Sequence, residues 1–264
     1  MSLYYKKLAE VLKMIHKIDT EFSKEERARV VYIDGGECIG TTTITNSLTN
    51  LLHEKGYSKF IKTREPSQEC KDSLITELTY NGRLLSPGEQ IHKIIDIFMA
   101  DRRENQLSCG ENIKISDRGL FSTYVYQSGI LDDDSSVKDV KKNCEAIYNS
   151  FIDNEIKLPL ISINIVTLDN DSKSDVEVFD QRLNKRKNSN IKLDGMDKVP
   201  IMMSVNRVYS DITKRFINDD SLGLICHGSY IGIEHKQSIV DIVDTIYRII
   251  KQRLTDKIYI TDDM

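Results

Sequence analysis

Apolar and polar positions recur along this chain in two rhythms. Over residues 3–18, Tyr4, Leu8, Val11, Leu12, Ile15 and Ile18 stand at helical spacing with lysines between them, which predicts a helix with one buried face. Ser23-Lys-Glu-Glu26 has the form of a capping box and predicts a second short helix. From Arg29 onward, short apolar runs alternate with helical patterns. Strands are expected at 29–34, 59–63, 113–116, 160–168 and, last, 222–226. Helices are expected at 42–54, 86–105, 137–153, 176–186, 200–217 and 236–254. Ser86-Pro87-Gly88-Glu89 is a strong start for the second of these, with a cap, a proline at the first position and a glutamate at the third. Residues 132–136 (DDDSS) and 169–175 (DNDSKSD) read as surface loops.

This alternation argues an α/β fold with a parallel sheet covered on both faces. The chain has 264 residues, enough for one such domain with a full core. Residues 1–28 form a helical extension, 29–254 the domain and 255–264 a tail. The extension has two readings: it packs on its own domain, or it docks a partner protein or a second subunit.

Composition narrows the function. The net charge of −4 lacks the basic bias of a duplex binder, so nucleic acid is not the expected partner. Five cysteines without a CxxC pair argue reduced thiols and no zinc site. No apolar run reaches the ~18 residues of a membrane span, and no signal-peptide core opens the chain. A cytoplasmic protein is the expectation.

The chemistry begins at residues 32–48 (YIDGGECIGTTTITNSL), where a strand runs through a glycine turn into a helix. Gly35 and Gly40 have the spacing of a phosphate-binding loop, which works through backbone N–H groups and a helix N-terminus. Gly35, Gly40, Thr41, Thr42 and Thr43 are its phosphate-facing set, and Thr42 offers a hydroxyl to Mg²⁺. Asp117-Arg118 follows the strand IKIS, so its carboxylate sits at the end of a parallel strand, beside the crevice where ligands bind. Asp117 can hold Mg²⁺, and Arg118 offers a planar fork to phosphate. Arg64, in Thr63-Arg64-Glu65-Pro66, ends another strand. Phe98 and Arg102 lie four apart on one helix face and can hold a base.

In order, GGECIGTTT, TREP, FMADR, SDRGLFSTYVYQ and the basic QRLNKRK resemble the thymidylate kinase family across about residues 29–254. The resemblance implies a P-loop kinase fold with a five-stranded parallel sheet. It implies transfer of the γ-phosphoryl of ATP to dTMP with Mg²⁺, by an enzyme that is a homodimer. It places Phe98 against thymine and Arg102 on the base edge. Arg64 and Arg118 fall at the acceptor phosphate, and Ser122, Thr123, Tyr126 and Gln127 along the base and sugar. Glu37 falls near the sugar 3′-hydroxyl. Arg182 and Arg186 match catalytic arginines of a lid at about 182–198.

The donor side departs from the family. Thr41 stands where the loop lysine belongs, Gly195 stands where many relatives carry arginine, and Ser67-Gln68 replaces a Gly-Gly pair. Removing one preorganised donor typically costs roughly 10²–10³ in rate. Lys185 and Lys187 are lid candidates for the missing charge. Three readings stay open: a dTMP kinase slowed by the loss, a catalytically silent homologue that binds nucleotide or a partner, and a kinase for a modified pyrimidine monophosphate.

Overall fold

A computed structural model gives the fold and describes residues 2–36, 39–72, 87–166, 172–188, 199–216, 225–227, 230–234 and 237–254. Five parallel strands form the centre: β1 (Ala28–Gly35), β2 (Phe60–Arg64), β3 (Ile113–Asp117), β4 (Pro159–Val166) and β6 (Tyr230–Glu234). The short β5 (Ile225–His227) runs antiparallel to β6 at one edge, and the order across the sheet is β2-β3-β1-β4-β6-β5.

Period-two alternation sorts the strand residues into two cores. Val31, Ile33, Ile113, Ile115, Ile161, Ile163, Ile165, Ile231 and Ile233 face one side. There they are covered by α2 (Thr41–Glu54) and α8 (Ile239–Leu254). The other face is covered by α3 (Pro87–Leu107), α4 (Leu120–Gln127) and α7 (Val199–Phe216), and α5 (Val137–Asp153) packs behind α3 and α4. Ser136 and Asp139 close a capping box at the start of α5, with Asp139 N donating to Ser136 Oγ at 3.2 Å and Ser136 N to Asp139 Oδ2 at 2.9 Å. The sixth helix in chain order, α6 (Ser172–Asn188), rests on α7 through Phe179 and Met202.

The first helix, α1 (Leu3–Phe22), belongs to this second core. Leu8, Val11, Met14, Ile15 and Ile18 are buried against α5 and α7. Lys7 Nζ donates to the Asp132 carbonyl at 2.6 Å, and Tyr4 Oη donates to Asp211 Oδ2 at 2.7 Å.

Three expectations are corrected. No second helix starts at Ser23: α1 runs on to Phe22, whose ring packs edge-on against Phe151, and Ser23 is its C-cap. The capping-box pattern had no apolar face behind it, because Glu25 and Glu26 are exposed. The last parallel strand is 230–234, where Ile231 and Ile233 alternate into the core, and 225–227 is only an antiparallel edge. Helix α4 was not foreseen. Leu120 through Val125 are all buried, so it carries no amphipathic signal.

Leu8→Ala removes a fully buried side chain from the α1 face. Its unfolding free energy in urea is expected to fall by about 2–5 kcal/mol. A loss below about 0.5 kcal/mol, the scale of a surface substitution, would mean that α1 only rests on the surface.

Candidate functional site

All five parallel strands end at one edge of the sheet, so the loops that follow them converge there. Strand β1 leads into the glycine turn before α2. Gly40, at the N-cap of α2, has φ +102°, a left-handed conformation that glycine adopts without steric cost. Glu37 and Cys38 lie outside the described residues, and with Glu37 the role expected at the sugar hydroxyl. Thr41 is buried at the first turn of α2. Thr42 Oγ1 donates to Asp117 Oδ2 at 2.5 Å, tying the loop to the end of β3.

Asp117 is buried, and among the described residues its Oδ1 has no hydrogen-bond partner. A hydroxyl and a carboxylate side by side, with one buried oxygen uncommitted, suit Mg²⁺. This ion is typically held by one or two protein oxygens together with substrate phosphates and water. No cluster of three or more His, Cys, Asp or Glu side chains among the described residues forms a separate protein cage.

A cavity of about 760 Å³ opens beside this edge. Arg64, Phe98, Arg102 and Arg118 line it, and so do Ser122, Thr123, Tyr126 and Gln127. These eight, singled out from three separate stretches of sequence, therefore share one space. Asp132 and Asp133 of the expected surface loop also line it, as do Pro200, Ile201 and Ser204 of α7. Arg182 and Arg186 lie on α6, which contributes no wall to the cavity among the described residues.

Burial and pairing fix the cavity's polar floor. Helix α3 turns Ile95, Met99, Arg102 and Gln106 inward on one stripe, so Arg102 lies on a core face. Arg102 is 3% exposed. Its Nε donates to Glu65 Oε2 at 2.8 Å, and its Nη1 and Nη2 donate to Thr123 Oγ1 at 3.3 and 3.2 Å. Burial opposes this charge most strongly, but Glu65 together with Tyr32 and Asp34 outweighs it and holds the guanidinium above the usual arginine range. Glu65 also accepts from Asn105 Nδ2 at 3.0 Å. The ion pair was not foreseen, although both partners stand in the quoted motifs TREP and FMADR.

A second buried carboxylate, Asp34, lies at the end of β1. Its Oδ1 accepts from Gly119 N at 3.0 Å and from Ser122 Oγ at 2.6 Å, and Ser122 pairs with Tyr209 Oη at 2.7 Å. Gly119 is required by close approach, since a Cβ there would lie 2.4 Å from the Tyr32 ring. Ser122 and Thr123 thus face the cavity with hydroxyls engaged inside the protein. Arg118 has φ +87°, and its guanidinium carbon lies 5.1 Å from the centre of the Tyr126 ring. That left-handed backbone is strained for a non-glycine residue, and such strain clusters at ligand sites.

The turn after β2 adds Lys71. Burial and the nearby Arg64 and Arg118 guanidiniums hold its ammonium below the usual lysine range, while Asp117 opposes them.

No family model matches this sequence, and no curated protein does. Among solved structures, a thymidylate kinase from Candida albicans is 16% identical, with a TM-score of 0.54. The match covers 86% of this chain and 92% of that one. At that identity the likeness establishes the fold, a P-loop kinase fold built on a parallel sheet.

Burial raises the Asp34 pKa, against the donors from Ser122 and Gly119. The stability Asp34 contributes while protonated is present below its unfolded value, about 4. It is lost as pH rises through the higher folded value. Asp34→Asn removes this dependence. Urea denaturation across pH 4–8 is expected to show stability falling less steeply in the variant than in the wild type. Equal slopes would mean that Asp34 ionises in the fold without penalty.

Proposed function

We propose that this protein is a nucleoside monophosphate kinase that transfers the γ-phosphoryl of ATP to dTMP. One observation carries the reading: the cavity joins an aromatic face and a buried arginine at one part to two arginines beside Asp117 at another. A pyrimidine nucleotide has that same division, a flat polar ring at one end and a dianion at the other.

In this reading Phe98 stacks on the base, and Arg102, held in place by Glu65, presents its remaining Nη2 donor capacity to the base edge. Arg64 and Arg118 hold the acceptor phosphate with planar forks. Tyr126 steadies Arg118 from the side through its ring face. The backbone amides at the start of α2 receive the donor phosphates. Mg²⁺, near Thr42 and Asp117, would neutralise charge on the transferred group. Catalysis then consists of positioning and of stabilising spread negative charge. The resemblance to known kinases also suggests a homodimer.

Thr41 favours a second reading, a protein that binds dTMP without turning it over. A coupled assay with ATP, Mg²⁺ and each deoxynucleoside monophosphate separates the two. The kinase reading expects ADP release with dTMP above the other three. ADP release with none of them, together with dTMP binding in calorimetry, would favour the silent binder. Release with a pyrimidine carrying a larger base substituent, above dTMP, would point to a modified nucleotide.

Phe98→Ala is expected to weaken dTMP binding by roughly 1–3 kcal/mol, the worth of one aromatic–base stack. Unchanged affinity by calorimetry would remove Phe98 from the base site.

A further inference from the structure

The first turn of α1 bonds to two parts of the molecule that both supply walls to the cavity. One is the loop after α4, which contributes Leu131, Asp132 and Asp133, and the other is α7, which contributes Pro200, Ile201 and Ser204. Tyr4 and Lys7 stand three apart on α1 and are neighbours on one helix face. Tyr4 Oη donates to Asp211 Oδ2 of α7 at 2.7 Å, and the Arg207 guanidinium carbon lies 4.6 Å from the centre of the Tyr4 ring. Leu8 and Val11 follow directly and are fully buried, so this turn is a fixed point. From it Lys7 Nζ reaches the Asp132 carbonyl, donating at 2.6 Å.

Lys7 is 3% exposed and borders the apolar stripe of Leu8, Val11, Ile15 and Ile18. A buried ammonium is costly unless it is paired, so packing alone would favour a hydrocarbon there. The loop it reaches is shaped from within. Asp132 N donates to the Gly129 carbonyl at 3.2 Å, and the Asp132 carboxylate accepts from Asp134 N at 3.1 Å and from Ser135 Oγ at 2.8 Å. Asn143 Nδ2 ties the start of the loop to α5 through the Ser128 carbonyl, at 3.2 Å. The bond from Lys7 ties the cavity-lining part to α1. It is made at a backbone carbonyl, so it holds the path of the chain and not only one side chain.

We propose that Lys7 is a positioning residue: its hydrogen bond fixes where the 131–133 wall of the cavity stands, and so how closely that wall meets a ligand. Lys7 is not among the residues that line the cavity and acts only through Asp132. The effect on dTMP rests on the kinase reading above, whereas the hold on the wall does not. A helix outside the strand-and-helix alternation of the domain thereby becomes part of the site's construction.

The test compares the full chain with Lys7→Met, which keeps the length and loses the donor, and Lys7→Arg, which keeps a donor on a long stem. Asp132 is exposed, so its carbonyl can bond water once the ammonium is gone, and the fold should survive the change. Three readouts are used: urea denaturation, amide hydrogen exchange of the ligand-free protein, and calorimetric binding of dTMP. Lys7→Met is expected to leave the urea midpoint nearly unchanged. It should speed exchange of the Asp132 and Asp134 amides by about tenfold or more, while the amides of α1 and the sheet keep their protection. It should weaken dTMP by about three- to tenfold, less than the full worth of a hydrogen bond from a charged donor, since only part of the loosening reaches the ligand. Lys7→Arg should stay within about twofold of wild type in both exchange and binding. A merely structural role would lower the urea midpoint and speed exchange throughout, and that result overturns the proposal. So does loop exchange in Lys7→Met within about twofold of wild type, or an equal acceleration in both variants. A loosened loop with dTMP affinity within about twofold of wild type overturns the link to the ligand. If the wild type binds no dTMP, the nucleotide reading fails on its own, and the exchange comparison still decides whether Lys7 holds the wall.

Discussion

The buried ion pair between Arg102 and Glu65 is the joint on which the cavity depends. It links the end of β2 to the middle of α3, and through Thr123 it reaches α4. Two charges taken out of water need close geometry and further partners to be tolerated. Here Asn105 serves the carboxylate and Thr123 the guanidinium. The pair explains why an arginine occupies a core stripe of a helix. It also fixes one end of the cavity without demanding a ligand to neutralise it.

At the other end of the cavity Arg64 and Arg118 stand beside Asp117, and Arg118 is held in a strained backbone. That strain sits at the sheet edge where the loops after β1, β2 and β3 converge.

Much of this was legible in the sequence because strands and helices differ in period. The runs at 29–34, 113–116 and 160–168 alternate with amphipathic helices, and parallel topology alone then brings Gly35, Arg64 and Asp117 to one edge. Phe98 and Arg102 could be paired because four residues make one helical turn. What escaped lacked a local signal. Helix α4 is rich in aromatic and β-branched residues and so resembles a strand. Strand β6 is interrupted by Gly232, and the richer run before it drew the assignment. Asp34, Tyr209 and Lys71 owe their places to tertiary contacts, which no spacing within one element reveals.

The Ser122 hydroxyl bridges partners 88 residues back, at Asp34, and 87 residues ahead, at Tyr209. Arg102 likewise draws on Glu65, 37 residues before it, and on Thr123, 21 after it. Contacts of such separation form only after the intervening loops have closed, which delays them relative to helices and local turns. During synthesis the glycine turn after β1 and the β2 arginine leave the ribosome long before Tyr209 does. A growing chain can therefore carry many of the cavity-lining residues for most of its synthesis while lacking the network that aligns them. That network is complete only when α7 has docked and brought Tyr209 to Ser122.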